Sequence, residues 1–174
     1  FYFTWTNPFL NELEVTNAAG VMTFGQMSEV LFMIVMPFFF RRLGVKYMIT
    51  IALLAWVTRY VFFAYGNSGS LYWMLFGGIV LHGICYDFFF VTGQIYVDKK
   101  ATKDIRSKAQ GLITFATLGV GMFIGTWVAG KIGEMHATPD AAVAHDWLKI
   151  WTFPAIFSFV LLVVFFALFN DKVS

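Results

Sequence analysis

Cysteine is almost missing from this sequence. Cys85 stands alone among 174 residues, so no intrachain disulfide can form and no thiolate cage can hold a metal. Histidine offers no substitute, because His136 and His145 lie apart in a loop without cysteine partners. Charge is scarce as well. Asp, Glu, Lys and Arg make up 13% of the chain, against about 25% in an ordinary soluble domain. A GxSxG nucleophile turn and a phosphate-cradling glycine loop are both lacking. These absences give no support to an enzyme, a metal site or a bound cofactor. The basic residues flank apolar runs and form no nucleic-acid signature. Alternation is missing too: LFMIVMPFFF and FSFVLLVVFFALF do not switch between polar and apolar, which excludes a transmembrane β-barrel.

What fills the sequence is apolar. Hydrophobic residues reach 59%, aromatics 20%, phenylalanine 22 positions, and the mean hydropathy is +0.72. The apolar residues come in blocks of the length that crosses a bilayer, about 20 residues. The expected fold is therefore an all-α membrane protein. The spans are expected at about 1–10 (partial), 18–40, 46–65, 71–97, 108–131 and 148–169. Asn7-Pro8 and NELEVTN separate the first two, RRLGVK makes a turn, and GNSGS makes another. The stretch from 133 to 147 reads as a loop with a short interfacial helix. The first residue is Phe1 and FYFTWTNPFL is half a span, so the chain is expected to be the C-terminal part of a longer protein.

Lysine and arginine set the orientation. Arg41, Arg42, Lys46, Lys99, Lys100, Lys103, Arg106, Lys108 and Lys172 fall on one side of the membrane, and Lys131 and Lys149 on the other. The excess places the RRLGVK turn, the 98–108 loop and the C-terminus in the cytoplasm. Arg59 lies within a span and is expected to stretch to interfacial water or to form a structural ion pair. Gly121, Gly125 and Ala129 recur at spacing four, a small-residue stripe that suits close helix packing. Pro37 and Pro154 lie inside spans, where proline removes a backbone donor.

The remaining ionisable groups in the spans are Glu29, His82 and Asp87. A charged side chain near a helix centre costs about 2.5–3.5 kcal/mol on insertion scales. A good lipid-facing residue returns only about 0.3–0.6 kcal/mol. Glu29 lies about 16 Å along its helix, near the midplane. Gln26 is one turn away on the same face. His82 comes out at a similar depth, with Tyr86 and Phe90 on its face and Asp87 rotated by one residue. Two helices thus offer polar groups at one depth, which suggests a shared polar cavity. Glu29 and Asp87 are too short to reach the interface from there. A carboxyl group that meets water from alternate sides can load and release a proton. One proton crossing with 100 mV contributes about 2.3 kcal/mol, and one pH unit about 1.4 kcal/mol, enough to drive uptake of a small polar solute.

Three stretches carry a resemblance: FGQMSEVLFMIVMPFFFRRLGVK, AWVTRYVFFAYG and HGICYDFFFVTGQIYVDKKATKDIRSKAQG. With their QxSE, GxxYDFF and IRSxAQG elements in order, they are similar to the nucleoside:proton symporters of the major facilitator superfamily. The similarity runs over about residues 2–130. It implies the C-terminal six-helix half of a twelve-helix carrier in a bacterial inner membrane, with the N-terminal half as its missing partner. By the same resemblance, Gln26, Glu29, His82, Tyr86 and Asp87 are substrate-site positions, and Asp87 with Glu29 would carry the proton. His82 occupies a position where a better-known branch has tyrosine. The expected partners are a nucleoside, a proton and the lipid bilayer. A carrier of another small polar solute, such as a sugar, and a non-transporting scaffold are the alternatives.

Overall fold

The computed structural model describes residues 1–138 and 144–170. Among them the chain is a series of helices joined by short non-helical links. Helix α1 is Tyr2–Glu12 and α2 is Ala18–Tyr65. Helices α3 (Tyr72–Lys100), α4 (Arg106–Met135) and α5 (Trp147–Leu168) follow. Four of these five are long and apolar enough to cross a membrane, and α2, at 48 residues, is long enough to do so twice.

The helix α2 is two arms joined at one residue. The sequence suggests a turn over RRLGVK, yet the backbone stays helical up to Leu43. It breaks at Gly44, with φ 67° and ψ −180°. That conformation costs a side-chain-bearing residue steric strain and glycine almost nothing. The first arm (18–43) and second arm (45–65) can therefore fold back on each other over a very short link.

Three apolar clusters hold the bundle. At one end Tyr2, Phe9 and Leu10 of α1 pack with Phe63, Ile79, Trp147 and Trp151. Towards the Gly44 end, Met36, Met48, Ala52 and Phe88 join both arms of α2 to α3. Val45, Ile49 and Leu53 meet Leu162 and Phe165 of α5. Helix α4 is the least covered, with Leu112, Phe115, Phe123 and Trp127 all exposed. Such a face suits lipid or a partner surface.

Polar clips close the end opposite Gly44. The Glu12 carboxylate accepts from Trp147 Nε1 at 3.0 Å and pairs with His145 Nδ1 at 2.7 Å, tying the end of α1 to the start of α5. Trp5 Nε1 donates to the Ala129 carbonyl at 2.9 Å. Trp5 also lies against Gly133, where a Cβ would come within 2.1 Å of the indole. An antiparallel bridge joins Ala137 and His145. Part of the suggested interfacial helix at 133–147, namely 139–143, and the terminal segment 171–174 with Lys172 lie outside the described residues.

Asp146 caps α5, accepting the Lys149 N–H at 3.3 Å. Its other oxygen lies 2.8 Å from the Lys149 ammonium. The hydrogen bond from Lys149 holds the Asp146 carboxyl below the usual carboxylate range. A depressed carboxyl stabilises the fold above its unfolded value and loses that contribution as pH falls through the folded value. Asp146→Ala should cost about 1 kcal/mol in thermal unfolding at neutral pH. That deficit should shrink as the pH is lowered through the acidic range.

The first arm of α2 and α3 cross with their backbones in close approach. A Cβ on Gly83 would meet the Ser28 carbonyl carbon, the Ser28 oxygen and the Glu29 nitrogen at 2.5, 2.6 and 2.7 Å. These are backbone atoms, so the helices must part to admit a methyl group. Gly83→Ala should lower stability by about 1–3 kcal/mol, as overpacking does. A fall in the thermal midpoint of the purified protein checks this.

Candidate functional site

The site begins at that crossing. Helix α3 tightens at Leu81, where ψ is −11°. Just beyond it, the Gly83 N–H donates to Ser28 Oγ at 3.0 Å. The Ser28 hydroxyl in turn donates a hydrogen bond to the Gly25 carbonyl at 2.6 Å. One hydroxyl thus fixes the two helices in depth, and its neighbours Glu29 and His82 come level with each other.

His82 is the centre of a chain of three polar side chains. Its Nε2 lies 2.7 Å from Glu29 Oε1. Its Nδ1 lies 2.8 Å from Arg59 Nη1, on the second arm of α2. Arg59 is 1% exposed. Its guanidinium sits 3.5 Å above the Tyr2 ring and 5.7 Å from the Phe63 ring centre. Tyr2 also stacks on His82, with ring centres 4.5 Å apart. A desolvated cation over an aromatic face gains about 2 kcal/mol. The sequence expectation for Arg59 is therefore corrected. The guanidinium does not reach outward to water, because the ring of Tyr2 and the imidazole of His82 receive it inside. Its direct partner is an imidazole, with the carboxylate one step further on.

Beside this chain is a cavity of about 430 Å³, within the usual range of small-molecule sites. Tyr2, Arg59, His82 and Tyr86 form one wall; Thr117, Gly121, Gly125 and Thr126 of α4 form the other. Here α4 runs as a π-helical turn, Phe115–Gly121, and α3 has another at Asp87–Val91. Such turns often mark functional sites. The small-residue stripe of α4 divides its labour. Ala129 is fully buried under Trp5, whereas Gly121 and Gly125 open onto the cavity.

The five residues singled out from sequence occupy four kinds of place. His82 and Tyr86 line the cavity. Glu29, about one quarter exposed, is joined to it through His82 and is not itself in the lining. Gln26 lies on the exposed surface of α2. Asp87 is fully buried, away from the cavity wall, with both carboxyl oxygens lacking a hydrogen-bond partner among the described residues. One helical residue turns the direction by about 100°, so Asp87 faces α2 while Tyr86 faces the cavity. A buried carboxyl without partners is uncommon in native folds.

Sequence reasoning did not find Tyr2 or the linking part of Ser28. Ser28 was in view within QMSE. Tyr2 gave no signal, because its role depends on which face α1 turns inward.

Comparison with known proteins now adds identity to this geometry. The family model described as nucleoside H+ symporter matches residues 1–174. The chain belongs to the nucleoside H+ symporter family. It is 40% identical over 177 residues to the putative nucleoside transporter YegT of Escherichia coli K12. That alignment covers 99% of this chain and 42% of YegT. It is 34% identical to the nucleoside permease NupG of the same organism, covering 94% of this chain and 39% of NupG. The crystal structure of NupG superposes with a TM-score of 0.86 at 32% identity, over 97% of this chain and 44% of that one. A mutant form of NupG gives 0.88 at 31% identity. The chain thus spans about two fifths of the length of these curated relatives. The fold is an all-α membrane bundle of the major facilitator type, and the relatives are named as carriers, not enzymes.

Within this bundle, the chain of three polar side chains makes a stability prediction. His82→Ala removes the acceptor from a buried guanidinium and the partner from Glu29. Leaving a buried charged donor unsatisfied costs about 2–3 kcal/mol. Glu29→Ala should cost less, because Glu29 is partly exposed. Thermal unfolding of the two variants side by side checks the order.

Proposed function

We propose that this chain forms part of a carrier that moves a nucleoside together with a proton across the membrane by alternating access. One observation supports the reading most strongly. A polar chain, Glu29–His82–Arg59, runs through a mainly apolar bundle and ends at an aromatic-walled cavity. Membrane helices carry such groups at a cost.

Each residue has a role in this reading. Gln26 and Glu29, on the exposed side of α2, hydrogen-bond the ribose or the base. Tyr86 stacks on the base, with His82 beside it. Asp87 and Glu29 carry the proton, Asp87 from a buried position that could close and open to water as the helices shift. The exposed faces of α2 and α4 would meet the rest of the carrier, a second six-helix half, with substrate held between the halves near the midplane. The excess of Lys and Arg at the Gly44 end and the 98–108 loop supports a cytoplasmic position for that side. The C-terminus would lie there too, in a bacterial inner membrane.

Uptake of labelled uridine or adenosine into vesicles holding the full-length carrier tests the proposal. One proton per nucleoside should support about tenfold accumulation for each pH unit imposed. Asp87→Asn should abolish accumulation while counterflow of nucleoside persists. A protonophore should remove the gradient-driven part. Uptake that ignores the protonophore, or that sugars block and nucleosides do not, would overturn it.

A further inference from the structure

We infer that Arg59 is a positioning residue which, through His82, fixes the direction of hydrogen bonding at Glu29. The argument uses only which atoms can donate. A guanidinium has five N–H donors, no acceptor, and keeps its proton in proteins. Nη1 of Arg59 lies 2.8 Å from Nδ1 of His82, so Nδ1 must offer its lone pair. A neutral imidazole with a bare Nδ1 carries its proton on Nε2. That atom faces Glu29 Oε1 at 2.7 Å and therefore donates to it. The other tautomer would set N–H against N–H at Arg59 and lone pair against lone pair at Glu29. A doubly protonated ring would fail at Arg59 in the same way.

Arg59 has little freedom to release this arrangement. It is almost wholly buried, and the ring of Tyr2 packs against its guanidinium while stacking on His82. The second arm of α2, which does not carry Glu29, thus sets the polarity of the first. While Glu29 is ionised, with Oε1 taken by His82, the rest of its carboxyl is left to accept. The ligand groups that fit there are donors: a hydroxyl or an N–H. In the transport reading, on which this last step rests, those are the ribose hydroxyls or the base N–H groups of a nucleoside.

The tautomer can be read without any ligand. Full-length protein labelled with ¹⁵N-histidine in lipid nanodiscs gives the nitrogen shifts of His82, assigned by the loss of signal in His82→Gln. The expected wild-type spectrum has a protonated Nε2 and a bare Nδ1. Arg59→Met should give a mixture of tautomers and weaken uridine binding about tenfold or more, the loss expected for a charge-assisted hydrogen bond. Arg59→Lys keeps a donor-only cation and should recover the wild-type tautomer with part of the affinity. A wild-type ring protonated on Nδ1, or on both nitrogens, overturns the inference with no variant needed. So does Arg59→Met with an unchanged spectrum. Wild-type protein that shows the expected tautomer but binds no nucleoside would overturn the transport reading and leave the positioning role standing.

Discussion

Arg59 cannot give up its charge, and inside the bundle it has no bulk water to share it with. That constraint organises the centre of the molecule. The guanidinium takes a ring from α1, an imidazole from α3, and its own place on the second arm of α2. Beyond the imidazole stands the Glu29 carboxyl on the first arm. Four helical segments therefore converge on one positive charge. A buried charge stripped of partners costs about 3–5 kcal/mol, so each segment that supplies a partner is needed where it stands.

The backbone makes room for this. Gly83 lets α3 come within contact of the α2 backbone, and Ser28 links the two by its hydroxyl. Without that close crossing, His82 and Glu29 could not meet at hydrogen-bond distance. The π-helical turns in α3 and α4 lie beside the same region. Helix α4 is sparsely covered along this stretch, with Phe115, Leu118 and Met122 exposed. Hydrogen bonds from Glu12 and Trp5 tie the helices at the other end.

Much of this was legible in the sequence, for physical reasons. Long apolar runs without alternation dictate membrane helices, and residue rise alone brings Glu29 and His82 to a common depth. The separation of Asp87 from Tyr86 follows from one residue of helical rotation. Other features depend on which face of a helix meets which neighbour. Arg59 reads as a side chain that stretches to water or joins a structural ion pair, until α1 is seen to lay Tyr2 over its guanidinium. The RRLGVK segment reads as a turn, whereas a single positive-φ glycine does the whole of the bending.

The central claim is that Arg59 and Glu29, which do not touch, act on each other through His82. A double-mutant cycle measures this directly, with Arg59→Met, Glu29→Gln and the pair compared by thermal unfolding of the full-length protein. The account predicts a coupling of about 1 kcal/mol or more between the two positions. Independent sites add to within about 0.3–0.5 kcal/mol, and additivity within that margin would contradict it.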